Sequence, residues 1–538
     1  MKILRLICAI GLVFIIALVV NNILEKNIVV SSANSSVKEE ASEVFPHDEV
    51  VEVNINIDNT LYEEMIEQAI EEDYILADIT YNGYSFANVA IRPKGNSSLQ
   101  QVFSSGNDRF SFKVDFDKYI EGQNLFGITK LNLNNLFEDP TLMAEYIGYE
   151  MLEELEAEAP DTTYVSLSIN DEYYGLYLAV EQVDESFLKE AFGNSDGELY
   201  KPESGQGADL SYISDDIKNY EAITPEDDEM STDNNFIELV TTIDKIIQNG
   251  GETEEYKLSD VMNVDSFLKY LAMSTAVIHM DSYQSGMFHN YYLYYNTETF
   301  LYEWITWDLN MAFNGFPRSG LTDIEATQFI IDEPVIGNVD QYPLVQAIFL
   351  NEEYVSQYHE YIELLAKEYM DTENFQLKVE QIYVMIKTYA ENDSNPFYSM
   401  SIIEQSIFDQ ESNEIISLLE FVNLRSKNIL QQLTGELPST NEGEGNNGST
   451  SSNSSRQGDA ELRQKPEGEN LIERNRNQTL MKIPTERADG NIYNNQNTNK
   501  KLLESEEKEV DMVEVGIGGV GLFILTGLSV FLKKKSNC

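Results

Sequence analysis

The hydrophobic spacing of this chain changes character part-way along. Up to about Val180 apolar residues recur mainly at every second position, the pattern of strands that bury one face and wet the other. From Asp215 to Leu433 they recur mainly at three and four, the pattern of helices with one buried face. Strands first and helices second imply an α+β fold rather than an alternating βαβ one. In the first part Glu49 to Ile57 and Arg109 to Phe116 alternate, and Tyr74 to Pro93 reads as strand, Asn82-Gly83 turn, strand. Tyr164 to Ile169 and Tyr174 to Val180 form a second strand pair around Asn170-Asp171-Glu172. Asp139 to Pro160 is the most regular helical stretch, with an Asp cap, Pro140 in the first turn and Met143, Ile147, Met151 and Leu155 on one face.

The helical part has candidates at Phe236 to Gln248, Val264 to His279, Glu352 to Met370, Phe375 to Asn392 and Ile402 to Leu433. It is interrupted by "MFHNYYLYYNTETFLYEWITWDLNMAF", residues 287–313, an aromatic strand pair broken at His289-Asn290 and Asp308-Leu309-Asn310. The expectation is a β-rich N-terminal lobe over about 48–180 and a mostly helical C-terminal lobe over about 185–434. A ligand is expected in the cleft between them.

Charge limits the partners. Against 35 Lys+Arg stand 93 Asp+Glu, a formal net charge of −58, which repels nucleic acid and anionic membrane surfaces. The only cysteines are Cys8 and Cys538, so the body has no disulfide or thiolate site and relies on its core. Lys2 and Arg5 followed by apolar Leu6 to Val20 predict a signal peptide or signal anchor over 1–33, with a linker at 34–47. The composition of 435–511 predicts a disordered low-complexity tether. Val515 to Leu532 is expected to span the membrane, with the basic tail at 533–538 in the cytoplasm and the folded body outside the cell.

Several polar groups need a reason. Asp281, His289, Asn290, Asp308 and Asn310 offer mainly carboxylate and amide oxygens, hard ligands suited to Mg²⁺, Mn²⁺ or Ca²⁺. Asp308 follows an apolar run and needs a partner or a cation, or else caps a turn. Gly95, Asn96, Ser97 and Ser98 could present N–H groups and hydroxyls to a phosphate, or form an ordinary turn. Lys113 is a cation inside an alternating strand, on a face shared with Ser111 and Asp115 that could simply be exposed. In order along the chain, a small-residue loop, a strand lysine, a helix with Glu145 and Glu150, and then Asp, Asn and Asp match the order in which bilobal kinases supply their phosphate-binding, base and metal-binding parts.

At these positions the sequence resembles the CotH kinase family, an atypical branch of the protein-kinase-like fold named for spore-coat protein H. The resemblance rests on "GNSS" at 95–98, "FKVDF" at 112–116, "KLNLNNLFEDPT" at 130–141, "YYGLYLAVEQVDESFL" at 173–188, "LYK" at 199–201, "MDSYQSGMFHNYYLYY" at 280–295 and "WDLNMAF" at 307–313. It implies a bilobal kinase-like fold and transfer of the ATP γ-phosphate to Ser or Thr of secreted, spore-coat or envelope proteins, with Mg²⁺ or Mn²⁺. Gly95 to Ser98 would cover the phosphates and Lys113 would contact them, paired with Glu150 or Glu145. Asp281 would accept the substrate hydroxyl proton, Asn290 and Asp308 would hold the metals, and Glu181 would mark the lobe connector beside the adenine. Where the family has WDxD this chain has Asn310, so the alternative is an inactive surface adhesin or scaffold. Partners are then a protein substrate and, through the C-terminal helix, the membrane. The cell membrane is the expected location, and a spore surface is also compatible.

Overall fold

The computed structural model describes residues 44–225, 234–316, 320–408 and 416–446. The expected leader, the membrane span with its basic tail, most of the first linker and the tether beyond 446 lie outside those residues. Among the described residues no helix is long and apolar enough to cross a membrane. The architecture is mixed α+β, with strands concentrated in the N-terminal part and helices in the C-terminal part.

In chain order the first part contains β1 (Val51–Asn56), α1 (Asn59–Glu67), β2 (Ile75–Tyr81), β3 (Tyr84–Lys94), α2 (Ser97–Ser104), β4 (Ser111–Asp115), β5 (Lys130–Asn134), α3 (Ala144–Glu154), β6 (Thr162–Ile169) and β7 (Glu172–Glu181). Its strands close into a barrel in the order β1-β2-β3-β4-β5-β7-β6. Two hairpin turns follow from residues that tolerate left-handed backbone. Asn82 (φ 47°) and Gly83 (φ 81°) join β2 to β3, and Asn170 (φ 53°) and Asp171 (φ 65°) join β6 to β7. Closure comes from β1 running parallel to β6, with Val51 opposite Val165 and Ile55 opposite Ile169.

Val53, Ile79, Ile91, Phe112, Leu133 and Leu167 fill the barrel. Directly paired strand residues project to one side, so the alternate residues Arg92 and Lys94 of β3, Ser111 and Lys113 of β4, and Asn132 and Asn134 of β5 form a polar row on the outer face. On that outer face Leu178 and Val180 of β7 belong to the apolar core shared with α3 and the helical part.

The second part contains α4 (Glu185–Phe192), β8 (Leu199–Pro202), β9 (Ile223–Pro225), α5 (Asn234–Asn249), α6 (Val264–Val277), β10 (Tyr291–Asn296), β11 (Leu301–Thr306), α7 (Asp323–Thr327), α8 (Pro343–Phe349), α9 (Glu352–Leu364), α10 (Thr372–Glu391), α11 (Met400–Phe408) and α12 (Leu418–Leu433). The aromatic strand pair is half of a four-stranded sheet, order β11-β10-β8-β9, rather than an isolated hairpin. The helix expected from Asp139 begins at Ala144, because Glu138 (φ 66°) and Leu142 (φ 62°) adopt left-handed backbone that a helix excludes. Asp139 still acts as a cap across that loop, accepting from the amides of Thr141 and Ala144, each at 2.8 Å.

A buried ion pair fastens the barrel to the helical part. The Arg109 guanidinium donates to Asp393 at 2.5 Å and to the Leu176 carbonyl at 2.7 Å, with the Tyr177 ring 4.9 Å away. Nearby, the Tyr173 hydroxyl donates to the Tyr389 carbonyl at 2.8 Å. The folded chain reaches beyond the expected limits of 48 and 434. Val44 and Phe45 are buried, with the Tyr81 hydroxyl donating to the Val44 carbonyl, and Asn446 is hydrogen-bonded to Ile330 and Val335.

Candidate active site

The aromatic hairpin brings its two polar interruptions together. Tyr291 pairs with Thr306, and the Trp307 amide donates to the Asn290 carbonyl at 3.2 Å, so Asn290 and Asp308 flank the same open end. Trp304 stacks on Tyr291 at 4.0 Å between centroids and 6° between planes, which stiffens that end. Asn290 (φ 60°) and Asp308 (φ 56°) both occupy left-handed backbone, which Asn and Asp tolerate better than most residues. Asn290 donates its amide to the Asp281 carbonyl at 2.8 Å and to the Asp281 carboxylate at 3.4 Å. His289 Nε2 meets the other carboxylate oxygen of Asp281 at 2.9 Å.

Asp281 follows the left-handed cap of α6 at Ile278, and the chain after Asp308 is laced to that cap. The Phe313 amide donates to the Val277 carbonyl at 2.6 Å and the Asn314 amide to the Ile278 carbonyl at 3.3 Å. His279 is wholly buried behind this junction. Neither ring nitrogen has hydrogen-bond geometry to a partner, and burial holds its pKa down at about 4, so the ring is neutral at physiological pH.

The barrel contributes a lysine absent from the expected set. Lys94, the last residue of β3, donates to the Asn134 side-chain oxygen at 2.9 Å, and the Asn134 amide donates to both Glu145 oxygens at 3.1 and 2.9 Å. The ammonium also lies 5.7 Å from the Trp307 ring centroid, next to Asp308. Burial lowers the pKa of Lys94, opposed by the charges of Asp308 and Glu145. Burial raises the pKa of Asp308, opposed first by Lys94. Glu145 is only 4% exposed and is pushed up to about 8, by burial first and then by the charge of Asp308. Lys201 of β8 adds a second positive charge that acts on both Lys94 and Asp308.

Of the other expected residues, Lys113 is half-buried on the same outer face as Lys94, opposite Arg92 and Asn132. Gly95 (φ 125°) makes the turn out of β3, and a side chain there would lie 2.9 Å from the Ser98 hydroxyl. Asn96 caps α2 by position, while Ser97 and Ser98 are already in its first turn rather than in an open loop. The Glu181 side chain is 5% exposed, and one carboxyl oxygen is the acceptor for the Asp161 amide at 3.4 Å, so it is turned into the protein. Glu150 accepts from Tyr369 at 3.0 Å and from Lys378 at 3.2 Å, which separates it from the Glu145 network. Asn310 lines a cavity with Glu138, Asp139, Phe313 and Phe421.

The residues missed in the sequence are Lys94, Asn134, His279 and Lys201. The available signals were a lysine directly before a strand-ending glycine and the His279-Met280-Asp281 spacing.

The donor chemistry fits a hard divalent cation. Asp308 supplies a carboxylate, and Asn290, whose amide nitrogen is engaged by Asp281, supplies a carbonyl oxygen. Among the described residues no group of three or more His, Cys, Asp or Glu is assembled for a metal. Mg²⁺ suits so sparse a set, since it is usually held by one or two protein ligands with phosphates and water.

Fold and site together define a mixed α+β protein in which a barrel lysine and helix glutamate meet two aspartates and an asparagine from the helical part. Residues 91–429, more than half of the chain, match the family described as CotH kinase protein, and the chain belongs to that family. It is 24% identical over 327 residues to the inner spore coat protein H of Bacillus subtilis (strain 168), an alignment covering 57% of this chain and 79% of that protein. It is also 22% identical over 264 residues to Invasin CotH2 of Rhizopus delemar, covering 46% of this chain and 42% of that one.

Proposed function

We propose that this chain is an atypical bilobal protein kinase that transfers the γ-phosphate of ATP to Ser or Thr of secreted, coat or envelope proteins, using Mg²⁺ or Mn²⁺. The observation that carries the reading is the convergence of Lys94, Asn134 and Glu145 from the barrel side with Asp308, Asn290 and Asp281 from the helical side. These are the charges that phosphoryl transfer needs, a cation for the phosphates, a metal-binding pair and a base.

In this reading Lys94, rather than Lys113, binds the phosphates, because it bonds Asn134, the partner of Glu145, and its charge acts on Asp308. Asn134, itself held by Glu145, keeps its ammonium in place. Asp281 receives the proton of the substrate hydroxyl, oriented by His289 on one carboxylate oxygen and Asn290 near the other. The substrate oxygen forms a bond to the γ-phosphorus as the bond to the β,γ-bridging oxygen breaks, and ADP leaves. Asn290 and Asp308 would hold the divalent cation, which when bound neutralises charge on the transferring phosphates. Gly95 to Ser98 close over the phosphates from the end of β3, and the Glu181 region contributes backbone groups to the adenine. The names of the two relatives support a surface or coat location, and 515–532 would anchor the body outside the membrane.

Purified chain should transfer γ-phosphate to a Ser-rich protein in the presence of Mg²⁺ or Mn²⁺, and Asp308→Ala should abolish the transfer. Equal signal from wild type and variant would end the kinase reading. Asn310 favours the second reading, a nucleotide-binding scaffold or adhesin, for which tight ATP binding without turnover is the signature.

A further inference from the structure

The region matched by the family ends at residue 429, yet the chain continues to make specific contacts up to Asn446. Residues 439–446, "STNEGEGN", have the composition of a flexible tether. They are nevertheless sewn onto the loop 330–339. The Asp332 amide donates to the Ser439 carbonyl at 2.9 Å, and the Val339 amide donates to the Gly443 carbonyl at 3.1 Å. The Glu333 carboxylate, itself buried, accepts the amides of Gly443 at 2.9 Å and Gly445 at 3.0 Å. Asn446 exchanges backbone bonds, donating to Val335 at 2.8 Å and accepting from Gly337 at 3.0 Å. Its side chain accepts the Ile330 amide at 2.8 Å and donates to the Glu333 carbonyl at 3.0 Å. Gly445 has φ 61°, and a side chain there would come within 2.1 Å of the Gly337 carbonyl, so no other residue fits.

The loop so clamped is itself bonded to the turn that follows Asp281. The Ile336 amide donates to the Gln284 carbonyl at 2.9 Å, and the wholly buried Gln284 amide donates to the Pro334 carbonyl and to the Thr275 hydroxyl at 3.1 Å. One end of the strap therefore reaches the base-bearing loop through two short links, Asn446 to Val335-Ile336 and Ile336 to Gln284.

We infer that residues 439–446 form a strap that positions Asp281, with Asn446 and Gly445 as its positioning residues. The inference rests on the kinase reading of Asp281 only for its catalytic consequence. Closely spaced buried hydrogen bonds of this kind restrict the loop to one conformation, and a displacement of about 1 Å at a base lowers turnover by orders of magnitude. The strap accordingly acts on turnover and leaves the phosphate-binding residues Lys94 and Glu145, on the barrel side, unaffected.

The test uses the full chain carrying Asn446→Ala or Gly445→Ala. Each should lower kcat at least about tenfold while KM for ATP stays within about twofold, and amide exchange at Ile336 and the 284–286 turn should accelerate. A synthetic peptide of residues 437–446 should restore kcat to the Gly445→Ala chain. Unchanged kcat despite lost protection at Ile336 overturns the inference, as does faster exchange spread over the whole body. If the wild-type chain transfers no phosphate, the kinase reading fails, and faster exchange confined to Ile336 and the 284–286 turn still establishes the mechanical link from strap to loop.

Discussion

Replacing Lys94 by Met separates the two lysines that could serve the phosphates. Methionine keeps the length and the apolar stem of lysine and removes the charge and the 2.9 Å bond to Asn134. A cation about 4 Å from a phosphate charge gains about 4 kcal/mol at an effective dielectric constant of about 20. Because Lys94 is half-buried and its stem stays packed, about 2–3 kcal/mol of that reaches the transition state, a fall in kcat/KM of about 30- to 150-fold. The fold should survive, since burial first and then the charge of Asp308 push Glu145 towards its neutral form, so that the loss of the lysine falls mainly on Asp308. Lys201 still acts on that carboxylate, so the melting temperature should move by no more than about 2 °C. Initial rates of phosphate transfer at saturating Mg²⁺, with Lys113→Met measured in parallel, give the answer. A loss in Lys113→Met as large as in Lys94→Met, or full activity in Lys94→Met, would refute the assignment.

Two further outcomes follow from buried charges. Asp393→Ala leaves the Arg109 guanidinium, 5% exposed, without its carboxylate, which should cost about 3–5 kcal/mol and lower the melting temperature by about 4–6 °C in a body of this size, and a shift below about 1 °C would show that the clasp is dispensable. Burial raises the Glu181 carboxyl well above its ordinary 4.5, so the folded chain keeps a proton that the unfolded chain has already lost once pH exceeds about 4.5. Wild-type stability therefore falls as pH rises from there towards the folded pKa. Glu181→Gln should raise the melting temperature at pH 8 and leave it unchanged at pH 4, and a benefit at both pH values would count against this linkage.

Much of the first part was legible because hairpins are local. Asn82-Gly83 and Asn170-Asp171 announce their turns, and the alternation on either side sets the strands. The closed barrel was not legible, because its last seam pairs β1 with β6 across more than a hundred residues and no local pattern records that contact. Strands β8 and β9 escaped notice because their few residues, Leu199–Pro202 and Ile223–Pro225, are too short to display a period.

At the site, Asn290 and Asp308 were expected from their polarity at the ends of apolar strands and Asp281 from the family resemblance, and the structure brings the three together. Lys94 was hidden by its neighbour, since a strand ending at Lys94-Gly95 looks like an ordinary turn and its link to Glu145 runs through Asn134. Asn446 was hidden for a different reason. The same Gly, Glu and Asn residues that suit a tether also supply the left-handed backbone, free amides and side-chain amide that a clamp requires.

The closed barrel limits how this chain can pair with another through backbone hydrogen bonds. A sheet that returns to itself offers no unpaired strand to recruit a neighbour, so the first part cannot grow by strand addition. Among the described residues the smaller sheet does have two rims. One is β9, three residues ending at Pro225, and the other is β11, where the Trp304 amide donates to Ser266 and the Tyr302 amide to the Val261 carbonyl. Both rims are thus blunted, one by shortness and proline, the other by a covering segment of its own chain. Among the described residues neither sheet therefore offers a long bare edge strand for pairing with another chain.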